Sequence, residues 1–146
     1  MPKKIFFDAN ILIDFIYSTN TLNEEVSFLF YQLRRENHFF YCSPTTFTIT
    51  YYFLSKKIKN NNLLNKKAKD LFLEFSFTRE DHLIMDKVKE SKFRDLEDAL
   101  QYYSAEDSKV DIIITKNFFD FEHSIIPVYH PEQYINEFLL YDEYLL

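Results

Sequence analysis

The stretch Asp111-Ile112-Ile113-Ile114-Thr115-Lys116-Asn117 decides the fold. Three consecutive isoleucines leave no polar face, which is the pattern of a parallel strand covered on both sides, and the run stops at a polar Lys-Asn pair. The segment Lys3 to Phe7 has the same character and stops at Asp8-Ala9-Asn10, after which Ile11, Leu12, Phe15 and Ile16 recur at helical spacing. Strands buried on both faces need helices above and below them. The expected fold class is therefore α/β: a three-layer α/β/α domain around a central, mainly parallel sheet.

The rest of the chain supplies the helices. Val26, Leu29, Phe30 and Leu33 form one stripe and predict a helix over Leu22 to Asn37, followed by a short strand at Phe39 to Cys42. Ser43-Pro44 opens another helix, because serine caps well and proline is tolerated in a first turn; it runs to about Lys59. After the polar turn Asn60-Asn61-Asn62, Leu63, Leu64, Ala68, Leu71, Phe72 and Phe75 resume a helical period. A charged helix is expected between Asp81 and Glu90, and a further one starts at Asp95, with Leu96, Leu100 and Tyr103 facing inward. Ile125 to Tyr129 reads as a last strand, and His130-Pro131-Glu132 starts a C-terminal helix. No repeat or Pro/Ser-rich linker interrupts the chain, so one domain over residues 1–146 is expected.

Composition narrows the function. The 146 residues include 17 Phe and 11 Tyr and 47% hydrophobic residues, which excludes a disordered chain. Glycine is absent, which excludes both the phosphate-cradling GxxxxGK[ST] loop and the GxGxxG dinucleotide turn, since each needs backbone only glycine supplies. A single cysteine, Cys42, permits no internal disulfide, and His38, His82, His123 and His130 show no zinc spacing. A reducing cytoplasm fits. Asp8 and Asp14 interrupt the N-terminal apolar run before it reaches signal-peptide or membrane-span length, so no membrane partner is expected.

In open parallel sheets ligands bind beyond the carboxyl ends of the strands, so the polar residues after each apolar run are the first candidates. Asp8 and Asn10 follow the first strand; Asn117 and Asp120 follow the isoleucine strand. Asp95 and Asp98 share one side of a helix's first turn. If Asp8, Asp98 and Asp120 meet at roughly 4 Å, each pair repels by about 4 kcal/mol at an effective dielectric near 20. A hard divalent cation relieves that repulsion, and carboxylates with asparagine but no His or Cys suit Mg²⁺ or Mn²⁺ better than zinc. Such a site orients a water and stabilises charge developing at a phosphorus, the chemistry of metal-dependent phosphodiester cleavage. Each acid also has a plainer reading: Asp8 as a helix cap, Asp95 as an N-cap with Asp98 at N3, Asp120 as a loop residue.

With a formal charge of −6, a nucleic-acid partner requires a local basic patch. Lys56, Lys57, Lys59, Lys66, Lys67 and Lys69 form one, with no acid between Lys56 and Lys69. Each phosphate contact there would steepen the salt dependence of binding by about 0.9 for duplex or 0.7 for single strand; the alternative is a solvated helical face. From Pro131 onward the chain carries four acids and no Lys or Arg, ending in Phe138 to Tyr141 and Leu145-Leu146. That tail suits contact with protein, either a partner or its own core.

Four stretches together resemble the PIN domain family: Ile5 to Asp14, Asp95 to Tyr102, Ile113 to Phe121, and Ile126-Pro127-Val128 with Pro131 to Tyr134. The resemblance implies a metal-dependent endoribonuclease, of a kind that includes VapC-type toxins of toxin–antitoxin pairs, with RNA as substrate, an antitoxin as protein partner and a homodimer as the usual assembly. It implies that Asp8 is the first metal-binding acid with Asn10 beside it, that Asp98 is the acid at the helix start with Asp95 in support, and that Thr115, Asn117 and Asp120 form the last motif. The family commonly has a glutamate in the helix after the second strand. Here Ser43 to Tyr52 contains no acid; Thr48 or Thr50 is the candidate to face the site, and one bound ion is expected rather than two. A phosphatase nucleophile loop of the haloacid dehalogenase type fits Asp8-Ala9-Asn10 less well, because Asn10 replaces the second acid.

Overall fold

Side chains alternate across β1 (Lys4–Phe7), and this alternation divides the core. Ile5 and Phe7 face one side with Phe40, Cys42, Ile112 and Ile114, while Phe6 and Ile113 face the other. The computed structural model describes residues 1–17 and 21–139. Its elements follow as α1 (Ala9–Tyr17), α2 (Thr21–Arg35), β2 (Phe39–Cys42), α3 (Pro44–Lys57), α4 (Asn61–Phe72), β3 (Phe75–Phe77), α5 (His82–Lys89), α6 (Leu96–Asp107), β4 (Ile112–Ile114), a 3₁₀ turn (Phe118–Phe121), β5 (Val128–Tyr129) and α7 (Pro131–Tyr134), which runs into a π-helical turn (Ile135–Leu139).

The five strands are parallel in the order β3-β2-β1-β4-β5. β1 pairs with β2 on one side (Ile5 opposite Phe40) and β4 on the other (Phe6 opposite Ile113). Strand order therefore reverses between β1 and β4, the place where an open α/β sheet forms its ligand crevice. On one face α1 and α2 cover the sheet through Leu12, Leu29, Phe30 and Leu33, and Phe7 stacks on Phe30 at 4.8 Å. On the other, α5 and α6 pack through Val88, Ala99, Tyr102 and Ala105. This is the three-layer architecture expected.

Three details differ from the sequence reading. The last strand is only Val128–Tyr129, and Ile125 is exposed ahead of it. Phe75 does not extend α4: the helix ends at Phe72, and Phe75–Phe77 is an edge strand paired with β2. Three residues are too few to show a period of two, so the helical stripe masked it. In α6, Leu100 and Tyr103 pack against the core as expected, but Leu96 is 59% exposed, and the fully buried residues are Ala99, Tyr102 and Ala105 with Gln101 and Ser104. The N-cap at Asp95 sets the helix phase, and small alanines let the helix approach Phe6 and Ile113 more closely than leucines would. In the acidic tail, Leu139 is buried and Phe138 packs against the core; Leu140 to Leu146 lie outside the described residues.

Without glycine, the chain closes helices by another route. α2 and α6 both end in a Schellman motif, with His38 N–H donating to Leu33 O and Val110 N–H to Ala105 O. The left-handed position falls on Asn37 (φ 59°) and on Lys109 (φ 55°). Asparagine tolerates this; lysine bears the full side-chain clash. Lys109→Gly is expected to stabilise the fold by about 0.5–1 kcal/mol, the relief of strain less the added freedom of the unfolded chain, read as a higher urea midpoint at unchanged slope. Asn37→Gly is expected to change it less.

Candidate active site

Asp8 sits where β1 ends and α1 begins. Its N–H extends the β1–β4 ladder to Ile114 O, and its C=O accepts from Ile11 N–H. The carboxylate is 6% exposed and every oxygen is used: Oδ1 accepts from Ala9 N–H at 2.7 Å, and Oδ2 from Thr115 Oγ1 at 2.7 Å and Asn10 Nδ2 at 3.1 Å. Thr115, at the end of β4, accepts in turn from Asn117 N–H at 3.0 Å, and Asn10 Oδ1 accepts from Lys116 N–H at 3.3 Å. Asn10 and Asp14 lie one turn apart on α1, and Asp14 pairs with the Lys116 ammonium. Lys116 is thus held at both ends, which fixes the β4 loop against α1.

Burial pushes the Asp8 carboxyl above its usual range, and the charge of Asp120 adds to this; the bonds from Thr115, Ala9 and Asn10 act the other way. Asp98, in the first turn of α6, is pushed up to about 7 by burial first, then by the charges of Asp95, Asp120, Asp8 and Glu97. Burial, Asp95 and Asp8 likewise raise Glu97. The acids of three separate elements therefore act on one another across the β1–β4 crevice. Asp98 and Asp120 line one cavity of about 460 Å³ together with Arg94, Phe119 and His123.

Carboxylate oxygens of this kind are hard donors of the type that suits a hard divalent cation. The close approach of Asp8, Asp98 and Asp120 anticipated from sequence is looser here: among the described residues no three His, Cys, Asp or Glu side chains are placed to hold a metal ion. Asp95 serves as the N-cap of α6, accepting from Glu97 N–H at 2.8 Å and Asp98 N–H at 3.4 Å. Asn117 enters the network through its backbone N–H, and its side chain makes no capping bond.

The threonines of α3 are not brought to the acids. Thr48 is exposed and donates to Pro44 O, and Thr50 is buried and donates to Thr46 O. It is Thr46 that reaches toward α6, donating to Gln101 Oε1 at 3.1 Å. The six lysines Lys56, Lys57, Lys59, Lys66, Lys67 and Lys69 are all exposed on the α3–α4 hairpin, and among the described residues none is ion-paired; Lys56 lies 4.5 Å above the Tyr52 ring.

Glu97, Arg94 and Lys116 were missed by the sequence reading. Glu97 stands between Asp95 and Asp98 in the same helical turn, a position that was available as a signal. Arg94 and Lys116 each adjoin a candidate acid or its motif, but a lone cation beside an acid has no distinctive spacing.

Asp98 provides a pH test. A carboxyl raised in the folded state favours folding below the unfolded value of 3.8, and that contribution is lost as pH rises through about 7. Asp98→Asn is therefore expected to raise the melting temperature at pH 8 and to leave it nearly unchanged at pH 4, measured by calorimetry without added metal.

The PIN domain family profile matches residues 4–118. No curated protein matches the chain. Among solved structures, VapBC2 from Rickettsia felis bound to a DNA fragment from its promoter aligns with TM-score 0.65 and 14% identity, covering 87% of this chain and 98% of the other. FitAB bound to the IR36 DNA fragment gives TM-score 0.65 and 17% identity over 87% and 94%, and FitAcB from Neisseria gonorrhoeae 0.62 and 18% over 88% and 98%. At these identities the structural likeness speaks for the fold, and the profile match speaks for the sequence. The chain belongs to the PIN domain family.

Proposed function

We propose that this protein is a metal-dependent endoribonuclease and the toxin of a toxin–antitoxin pair. The observation that carries the reading is that the charge of Asp120 acts on Asp8, and the charges of Asp8 and Asp120 act on Asp98, from three elements at the β1–β4 crevice. Membership of the PIN family supports nuclease chemistry. The two-component assemblies VapBC2 and FitAB among its structural likenesses support a protein partner.

Asp8, Asp98 and Asp120 would hold one Mg²⁺ or Mn²⁺. When bound, the cation lowers the pKa of water and offsets charge on the scissile phosphate. In hydrolysis the water oxygen bonds to phosphorus, one ester P–O bond breaks, and the leaving oxygen takes up a proton. Thr115 and Asn10 fix the orientation of the Asp8 carboxylate and help keep it ionised. Asp95 holds the first turn of α6 so that Asp98 faces the crevice cavity. The unpaired lysines of the α3–α4 hairpin would meet the RNA backbone.

A second reading is favoured by one observation: α3 carries no acid from Pro44 to Lys57. On that reading the fold binds RNA or protein and has lost turnover. Titration calorimetry separates the two: Mn²⁺ heat that disappears in Asp98→Ala supports the enzyme, and RNA binding indifferent to metal supports the module.

The direct test is incubation with structured and single-stranded RNA over a series of Mn²⁺ concentrations. Cleavage is expected to require metal and to fall about a hundred-fold or more in Asp8→Asn. Cleavage in EDTA, or at wild-type rate in Asp8→Asn, would contradict the proposal.

A further inference from the structure

The cavity that contains Asp98 and Asp120 has a rim that the hydrolytic chemistry does not use. Phe119 lies on that rim with 83% of its surface exposed. It is not on a loose segment: Phe121, two residues on, is 2% exposed and anchored in the core, and Asp120 N–H and Glu122 N–H close the turn onto Asn117 O and Phe119 O. Phe118 meets it edge-on at 5.9 Å and is itself 47% exposed. An exposed phenylalanine leaves ungained the hydrophobic free energy that a stacked ring would supply. Across the same cavity Arg94 is exposed, and among the described residues it makes no ion pair although four carboxylates share the lining. Its guanidinium is therefore available to a phosphate.

We infer that Phe119 and Arg94 form a nucleotide subsite, in which one unpaired base of a single-stranded RNA stacks on Phe119 and the neighbouring phosphate meets Arg94. The volume of about 460 Å³ is that of a small-ligand site rather than a duplex groove. A duplex keeps its base faces covered, so the aromatic rim selects unpaired nucleotides. The inference rests on the nuclease reading for its choice of RNA, and it adds a binding determinant outside the acid group.

The experiment measures binding of a single-stranded RNA octamer by fluorescence anisotropy in Ca²⁺, beside its cleavage in Mn²⁺. Phe119→Ala is expected to weaken binding roughly ten-fold, as for one lost stacking contact, while Phe119→Trp retains it. A duplex of the same sequence is expected to bind both variants and wild type alike. Arg94→Gln is expected to flatten the slope of log K against log salt by about 0.7. Equal binding of the octamer by wild type and Phe119→Ala would overturn the inference and leave the rim to a protein partner. Cleavage with Phe119-independent binding removes this inference alone; Phe119-dependent binding without cleavage removes the nuclease reading alone.

Discussion

The buried carboxylate of Asp8 is the constraint around which the crevice is arranged. An ionised carboxylate in an apolar interior is costly unless its oxygens are hydrogen-bonded, and here three donors meet it: Ala9 and Asn10 from α1, and Thr115 from just beyond β4. The same bonds join the ends of the two central strands. Lys116, tied to Asn10 through its backbone and to Asp14 through its ammonium, completes the closure. The acid that would do chemistry is thus also what holds the crevice in register.

Around that fixed charge the fold adds further negative charge instead of removing it. The N-terminus of α6 offsets some of the cost, because exposed N–H groups and the helix dipole favour acids there, and Asp95 uses its carboxylate to cap the turn that carries Glu97 and Asp98. The remainder adds to the larger effect of burial at Asp98, whose carboxyl is pushed up to about 7. Charge opposed in this way would favour a bound cation. A site of that kind is less stable alone than with a cation bound.

The sheet was legible because its central strands are continuous apolar runs that end abruptly: β1 stops at Asp8 and β4 at Thr115, and both boundaries are nearly those of the structure. Edge strand β3 was not, because three residues of Phe-Ser-Phe carry no periodic signal and tertiary pairing with β2 decides their state. The face of α6 was legible in part: Leu100 and Tyr103 pack against the core as their spacing predicts, while Leu96 points to solvent and the deepest positions are Ala99, Tyr102 and Ala105. Asp8, Asn10 and Thr115 could be named from their places after strands. Their shared hydrogen bonds could not, since these depend on the β1–β4 pairing across more than a hundred residues. Thr48 or Thr50 was the candidate on a helix whose rotation the sequence leaves open, and that rotation directs Thr46 toward α6 instead.

The central claim is that acids distant in sequence share one electrostatic site at the β1–β4 crevice. Carbon-13 NMR titration of the aspartate carboxyls tests it most directly, comparing wild type with Asp120→Asn and with wild type in Mg²⁺. The account predicts an Asp98 carboxyl that titrates near pH 7, shifts to lower pH in Asp120→Asn and shifts further when Mg²⁺ is added. An Asp98 carboxyl titrating in the ordinary aspartate range, about 4, and indifferent to both changes would contradict it.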